Sequence, residues 1–177
     1  YKSGTCWSYS GLSFFESELT RMGKGELDLS EMFIVRHSYS RKGDKYVRMH
    51  GLINFGPGGA FHDVTNVIRD FGIVPNEVYQ GNPEYNGKNV HDEMDEVLKG
   101  MVDAIIKNKN GRLTEEWKLA YEAVLDTYLG KAPKEFDIKG KKYTPQSYAA
   151  SIGLNPDNYI ELTSFTHHPF YTKFTIE

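Results

Sequence analysis

Cys6 is the only cysteine in a chain of 177 residues. An intrachain disulfide is therefore impossible, and the fold must stand on buried apolar surface alone. The length allows one domain with a real core and a lobe added to it. Hydrophobic residues at 39% and charged residues at 25% supply such a core in the proportions of an ordinary globular chain. Aromatic residues, with 12 Tyr and 10 Phe, fit long side chains at the core's edges or grooves that hold a ligand. The net charge of -3 steers the chain toward neither nucleic acid nor an anionic membrane. The longest apolar run is far too short to span a bilayer. One cysteine is compatible with a reducing compartment. The first residue is Tyr1 and no signal segment precedes it, so the chain reads as processed, truncated or partial and its native targeting is not legible.

Helical periodicity dominates. Ser3-Gly4-Thr5 offers a cap and a tight approach before a helix that starts near Cys6. Leu12, Phe15, Leu19 and Met22 recur on one face of it, and Gly23 and Gly25 end it. Asp28 and Glu31 match a capping box, with Asp28 as the cap of a helix through Met32, Phe33, Val35 and Arg36. The run Ser40 to Asp44 reads as a charged loop. Gly51 to Gly59 is a loop rich in glycine with exposed backbone at its end. Ala60, Val64, Val67, Ile68 and Phe71 mark the next helix, stopped by Gly72, and Val74-Pro75 forces extension.

A polar linker over 80–89 leads to a long helix striped by Met94, Val97, Leu98, Met101, Val102, Ile105 and Ile106. Asn108 to Gly111 break it. Thr114 caps another helix, with Trp117, Ala120, Val124, Leu125 and Tyr128 inside and Gly130 at its end. Asp137 to Tyr143 is a hairpin about Lys139-Gly140, and Thr144-Pro145 opens a short helix. Tyr159 to Thr163 and Tyr171 to Ile176 read as extended. Helices first and a few late strands give an α+β class.

Cys6 stands in a chemically specific place. At the first turn of a helix, free backbone N–H groups and the positive end of the dipole favour a thiolate, the form that attacks a carbonyl. The same N–H groups can face a developing oxyanion. Trp7 would wall the site. A lone cysteine can equally be a small buried hydrophobe, and the local features leave both readings open.

Ser3-Gly4-Thr5-Cys6-Trp7-Ser8-Tyr9-Ser10 resembles the active-site segment of papain-like cysteine peptidases, where Gly4, Cys6 and Trp7 match the signature and Thr5 replaces Ser or Ala. Ser3 stands where many members carry a disulfide-bonded Cys. Leu29-Ser30-Glu31 is similar to the start of the family's second helix. Gly58-Gly59, followed by a helix and Gly72-Ile73-Val74, resembles the wall of the substrate cleft and the turn after it. Asn66-Val67-Ile68-Arg69, Val74-Pro75, Tyr143-Thr144-Pro145, Leu162-Thr163-Ser164-Phe165 and His168-Pro169-Phe170-Tyr171, with a helical insertion from about residue 88 to 130, look like the aminopeptidase C and bleomycin hydrolase branch.

The resemblance implies a papain-like fold. Residues 1–79 would form the helical lobe, 80–155 a helical insertion, and 156–177 the start of a β-rich lobe. It implies Cys6 as the nucleophile, Gly58 and Gly59 as substrate-binding backbone, a peptide substrate, and removal of amino-terminal residues. It also implies a self-compartmentalising homo-oligomer, often a homohexamer, in the cytoplasm. An exported protein whose signal segment is absent from the chain is the alternative. No cofactor and no metal site is expected. Gly58-Gly59 could also be a plain loop before a helix.

A thiol peptidase needs a general base and a group to orient it. The six histidines are His37, His50, His62, His91, His167 and His168. None falls in the window of roughly 130–150 residues after the nucleophile. His167 lies just beyond it and, by the resemblance, matches a block upstream of the catalytic position. The oxyanion Gln is expected just before Tyr1, and the catalytic His and Asn after the chain's last residue. His37 and His50 read as surface or helix-packing residues, and adjacent His167 and His168 are a weak metal signal. His62-Asp63 is a secondary candidate for touching substrate. A papain-like endopeptidase and an inactive relative that binds peptide or forms a shell are the competing functions.

Overall fold

The computed structural model of the chain describes residues 3–82, 89–109, 111–162 and 167–174. They form six α-helices, one short hairpin and a single 3-10 turn. In chain order these are α1 (Cys6–Arg21), α2 (Glu31–Arg48), α3 (Phe61–Phe71), α4 (Asp92–Ile106) and α5 (Glu116–Leu129). The hairpin β1 (Phe136–Ile138) and β2 (Lys141–Tyr143), α6 (Pro145–Ile152) and the 3-10 turn Pro156–Asn158 follow. The chain is thus mostly helical with a small antiparallel sheet, an α+β composition in the general sense. None of the described helices is long and apolar enough to cross a membrane.

The axis of the fold is α2, which packs against α1 and α3 on one side and against α4 and α5 on the other. Its buried residues Met32, Phe33, Val35, Tyr39 and Val47 follow helical spacing and enter one continuous core. Leu12, Phe15 and Leu19 of α1 are fully buried in it. Gly11 lets α1 approach α3 closely: a Cβ there would stand 2.8 Å from a Val64 methyl. Met22 departs from the expected stripe. It sits just past the helix end and is 45% exposed, because Gly23 at φ +77 turns the chain away.

The start of α2 differs from the capping box on Asp28. Residues 28–30 run extended beside 74–76, with an isolated bridge between Leu29 and Pro75. The helix therefore opens later, and Ser30 is its cap, with Oγ accepting from Phe33 N at 3.0 Å. Asp28 instead accepts from Asn76 Nδ2 at 3.0 Å. The charged run Ser40 to Asp44 is no loop. It lies inside α2, because burial of Tyr39 before it and Tyr46 after it keeps the chain helical. Likewise Thr114 is not the cap of α5, which opens at Glu116 without a side-chain cap bond.

Gly72 ends α3 at φ +83, and a Cβ there would lie 2.3 Å from the Pro145 carbonyl carbon. That contact seats α6 against α3. Thr144 caps α6 through Ser147 N at 3.2 Å, with Pro145 in the first turn. The hairpin pairs Phe136 with Tyr143, as its turn at Lys139-Gly140 predicts.

The late strands do not appear among the described residues. Tyr159 is extended but pairs with no strand, and its ring packs on Phe15 at 5.0 Å. Ile160 and Leu162 are exposed, and Tyr171 has φ +62 in a turn. An extended segment becomes a strand only when a neighbour takes its backbone groups. Thr163 to Phe165, Thr175 and Ile176 lie outside the described residues.

Candidate active site

Cys6 is the first residue of α1 and its side chain is exposed. The approach to it is tightly built. Gly4 has φ +65, and a Cβ there would stand 2.6 Å from Pro57 Cβ, so only glycine lets the chain pass this close to the 56–59 loop. Thr5 occupies the cap position but caps nothing. Its hydroxyl donates to Ser3 Oγ at 2.8 Å, and both residues are buried. The backbone N–H groups of Cys6 and Trp7 bond no described residue, and no acidic residue stands in the first turn. The positive helix end is left open where Cys6 meets solvent.

Trp7 forms the wall beside it. The indole is 8% exposed and donates from Nε1 to the Pro57 carbonyl at 2.8 Å. The two glycines that follow are not equivalent. A Cβ on Gly59 would stand 2.6 Å from the Trp7 ring, whereas one on Gly58 would meet nothing within 4 Å. Gly59 is exposed, and no described residue bonds its N–H or its C=O. Ala60 has no side chain to cap α3, and the Asp63 carboxylate reaches back to its N–H at 2.8 Å.

Lys42 ties this loop to α2. Its ammonium donates to the Gly56 carbonyl at 3.0 Å and to the Gly58 carbonyl. It also lies 5.3 Å from the Trp7 ring centre and 5.2 Å from that of Tyr39. Burial pulls its pKa below the ordinary lysine range, opposed by the carboxylates of Asp63 and Asp95. Tyr39 is fully buried, and its hydroxyl donates to Asp95 of α4. Sequence reasoning missed Lys42 because it read residues 40–44 as a loop. The signal was present: Tyr39, Gly43, Tyr46 and Val47 continue the spacing of the apolar face on both sides of the charges.

No described histidine hydrogen-bonds Cys6. His37 packs between helices, stacked on Phe71 at 4.1 Å. Burial, reinforced by Arg36 and Arg41, pushes its pKa down to about 4. His50 is exposed in the turn after α2. His62 is half-exposed on α3, with Nδ1 3.9 Å from Glu161 Oε2. His167 and His168 face each other at 4.3 Å, and the described residues offer no third metal ligand. His91 is buried beside a cavity of about 10 Å³ lined also by Asn82, Asn89 and Tyr128. The Ser3 backbone approaches its ring short of full hydrogen-bond geometry.

A larger recess of about 400 Å³, lined by Ser13, Glu16, Ser17, Thr20, Glu26 and Leu27, is not at Cys6. At the helical rise, Ser13 to Thr20 lie about 10 to 20 Å further along α1. The folding of α1, α2 and the loop before α3 brings Trp7, Gly59 and Lys42 together beside the exposed Cys6. No family model matches the chain, and no curated protein matches it.

Proposed function

We propose that the chain is the thiol-bearing part of a cysteine peptidase of papain-like fold, acting as an aminopeptidase, with Cys6 as nucleophile. The observation that carries this is the exposed Cys6 on an uncapped helix start, walled by Trp7 and flanked by free glycine backbone. Sγ attacks the scissile carbonyl carbon, and the resulting oxyanion faces the open N–H groups of the first turn. A histidine base takes the thiol proton and returns it to the departing amine, leaving a thioacyl group on Cys6. Water then attacks that carbonyl and regenerates the thiol. The base is to be sought outside the described residues. The extended substrate pairs with the backbone at Gly59, where no side chain stands in its way.

The test uses the full-length protein. Peptides with a free amino terminus should be cleaved, amino-blocked ones should not, and Cys6→Ala should abolish cleavage. Equal rates on both peptides would replace the aminopeptidase with an endopeptidase. No Cys6-dependent cleavage of either would sink the peptidase assignment. The homo-oligomer that accompanies this branch is read from the mass in solution.

A further inference from the structure

The geometry points to Lys42 as the positioning residue that aims the Gly59 N–H at an extended peptide. The inference rests on the proposed peptide-binding role of the glycine loop and adds the group that makes this loop a donor.

In a trans peptide the C=O and the N–H point to opposite sides of the plane. No described peptide bond is cis. Lys42 draws the Gly58 carbonyl inward, toward α2. The N–H of the same peptide unit, which belongs to Gly59, must then point outward. Gly59 is an exposed residue, and its N–H bonds no described residue. A cation on the carbonyl oxygen also polarises the amide and strengthens the N–H as a donor.

Neither end of this arrangement is free to drift. Gly59 is stopped from below by the Trp7 ring. The Lys42 ammonium is confined between the rings of Trp7 and Tyr39 and holds the Gly56 carbonyl as well. Tyr39 in turn is held by Asp95, so α4 braces the site through α2. Gly59 packs on the ring of Trp7, the residue that follows Cys6 in the first turn of α1. A lysine that only stitched the loop to α2 would leave peptide affinity indifferent to its charge once the protein is folded.

The experiment is a titration of isotope-labelled full-length protein, in the Cys6→Ala background to prevent turnover, with tri-alanine amide. The Gly59 amide and the Lys42 Nζ resonances should move together and saturate. Adding Lys42→Met should weaken binding by about tenfold, because the Gly59 donor loses its aim and its charge assistance. Lys42→Arg, which keeps charge and donors, should restore most of it. A wild-type dissociation constant in Lys42→Met overturns the proposal, as does a Gly59 amide that stays put. Should Lys42→Met not fold, a stationary Lys42 Nζ signal during the titration overturns it alone. Intact binding without any cleavage by the Cys6 protein would remove the peptidase assignment and leave this inference standing.

Discussion

The two sides of α2 are stabilised in opposite ways. Toward α4 and α5 the contacts are dense and made by side chains. Arg36 is 7% exposed and bonds Glu122 at 2.6 Å and Asp126 at 2.7 Å. Tyr46 donates to Asp103 at 2.7 Å, and Tyr121 packs on Gly43 while donating to the Tyr39 carbonyl at 2.9 Å. Toward Cys6 the hydrogen bonds of Trp7 and Lys42 end on backbone carbonyls of the 56–58 loop. The first side can carry stability because its charges are partnered. The second keeps polar groups unpaired and exposed, which contributes little to stability and leaves them for a ligand.

Breaking the dense side should therefore cost most. Arg36→Met takes the buried cation from Asp126 and leaves Glu122 to Lys118 alone, at a cost of about 3 kcal/mol, the low end for breaking a buried pair. Urea unfolding measures it, and a loss no larger than that of an exposed arginine would mean the network is solvated. Glu122 sharpens the point: burial alone would raise its pKa, but Ser40, Arg36 and Lys118 hold it below the usual carboxylate value.

His37, stacked on Phe71 of α3, should make the fold sensitive to mild acid. Its folded pKa of about 4 lies below the ordinary 6.5, so its neutral form is the one that folding favours. Stability from this group is present above pH 6.5 and is lost as pH falls toward 4. The full loss is about 3 kcal/mol. Unfolding free energies across that range should lose the slope in His37→Phe, which keeps a ring on Phe71. A slope that survives would assign the acid loss to a group other than His37.

The sparse side should respond weakly in stability and strongly in function. Gly59→Ala drives a methyl into the Trp7 ring and should cost about 1–3 kcal/mol. Gly58→Ala should change stability by no more than about 0.5 kcal/mol. Thermal unfolding of both variants, beside peptide cleavage by the full-length protein, separates packing from substrate access. Equal stability losses would show that the loop does not rest on Trp7.

Much of the secondary structure was readable in the order of residues. Leu12, Phe15 and Leu19, Gly72 with Val74-Pro75, and Thr144-Pro145 before α6 are local signals, each acting within a turn or two of chain. Asp28 failed as a cap because a distant segment, 74–76, took its neighbours into an extended pair. Residues 40–44 failed as a loop because Tyr39 and Tyr46 are buried against helices that arrive much later in the chain. The extended look of Ile160 and Leu162 produced no strand because nothing pairs with them among the described residues.

The candidate site divides along the same line. Placing Cys6 at a helix start, next to an indole and behind a glycine, follows from residues 3–7 and the apolar spacing after them, since a first turn is set by neighbours in sequence. What surrounds that thiol does not follow from them. Gly4 meets Pro57, Trp7 meets Gly59, and Lys42 meets the carbonyls of Gly56 and Gly58 only because α1, α2 and the loop before α3 converge. Such contacts join groups far apart in the chain, and their energy exists only once the core has brought the backbones together.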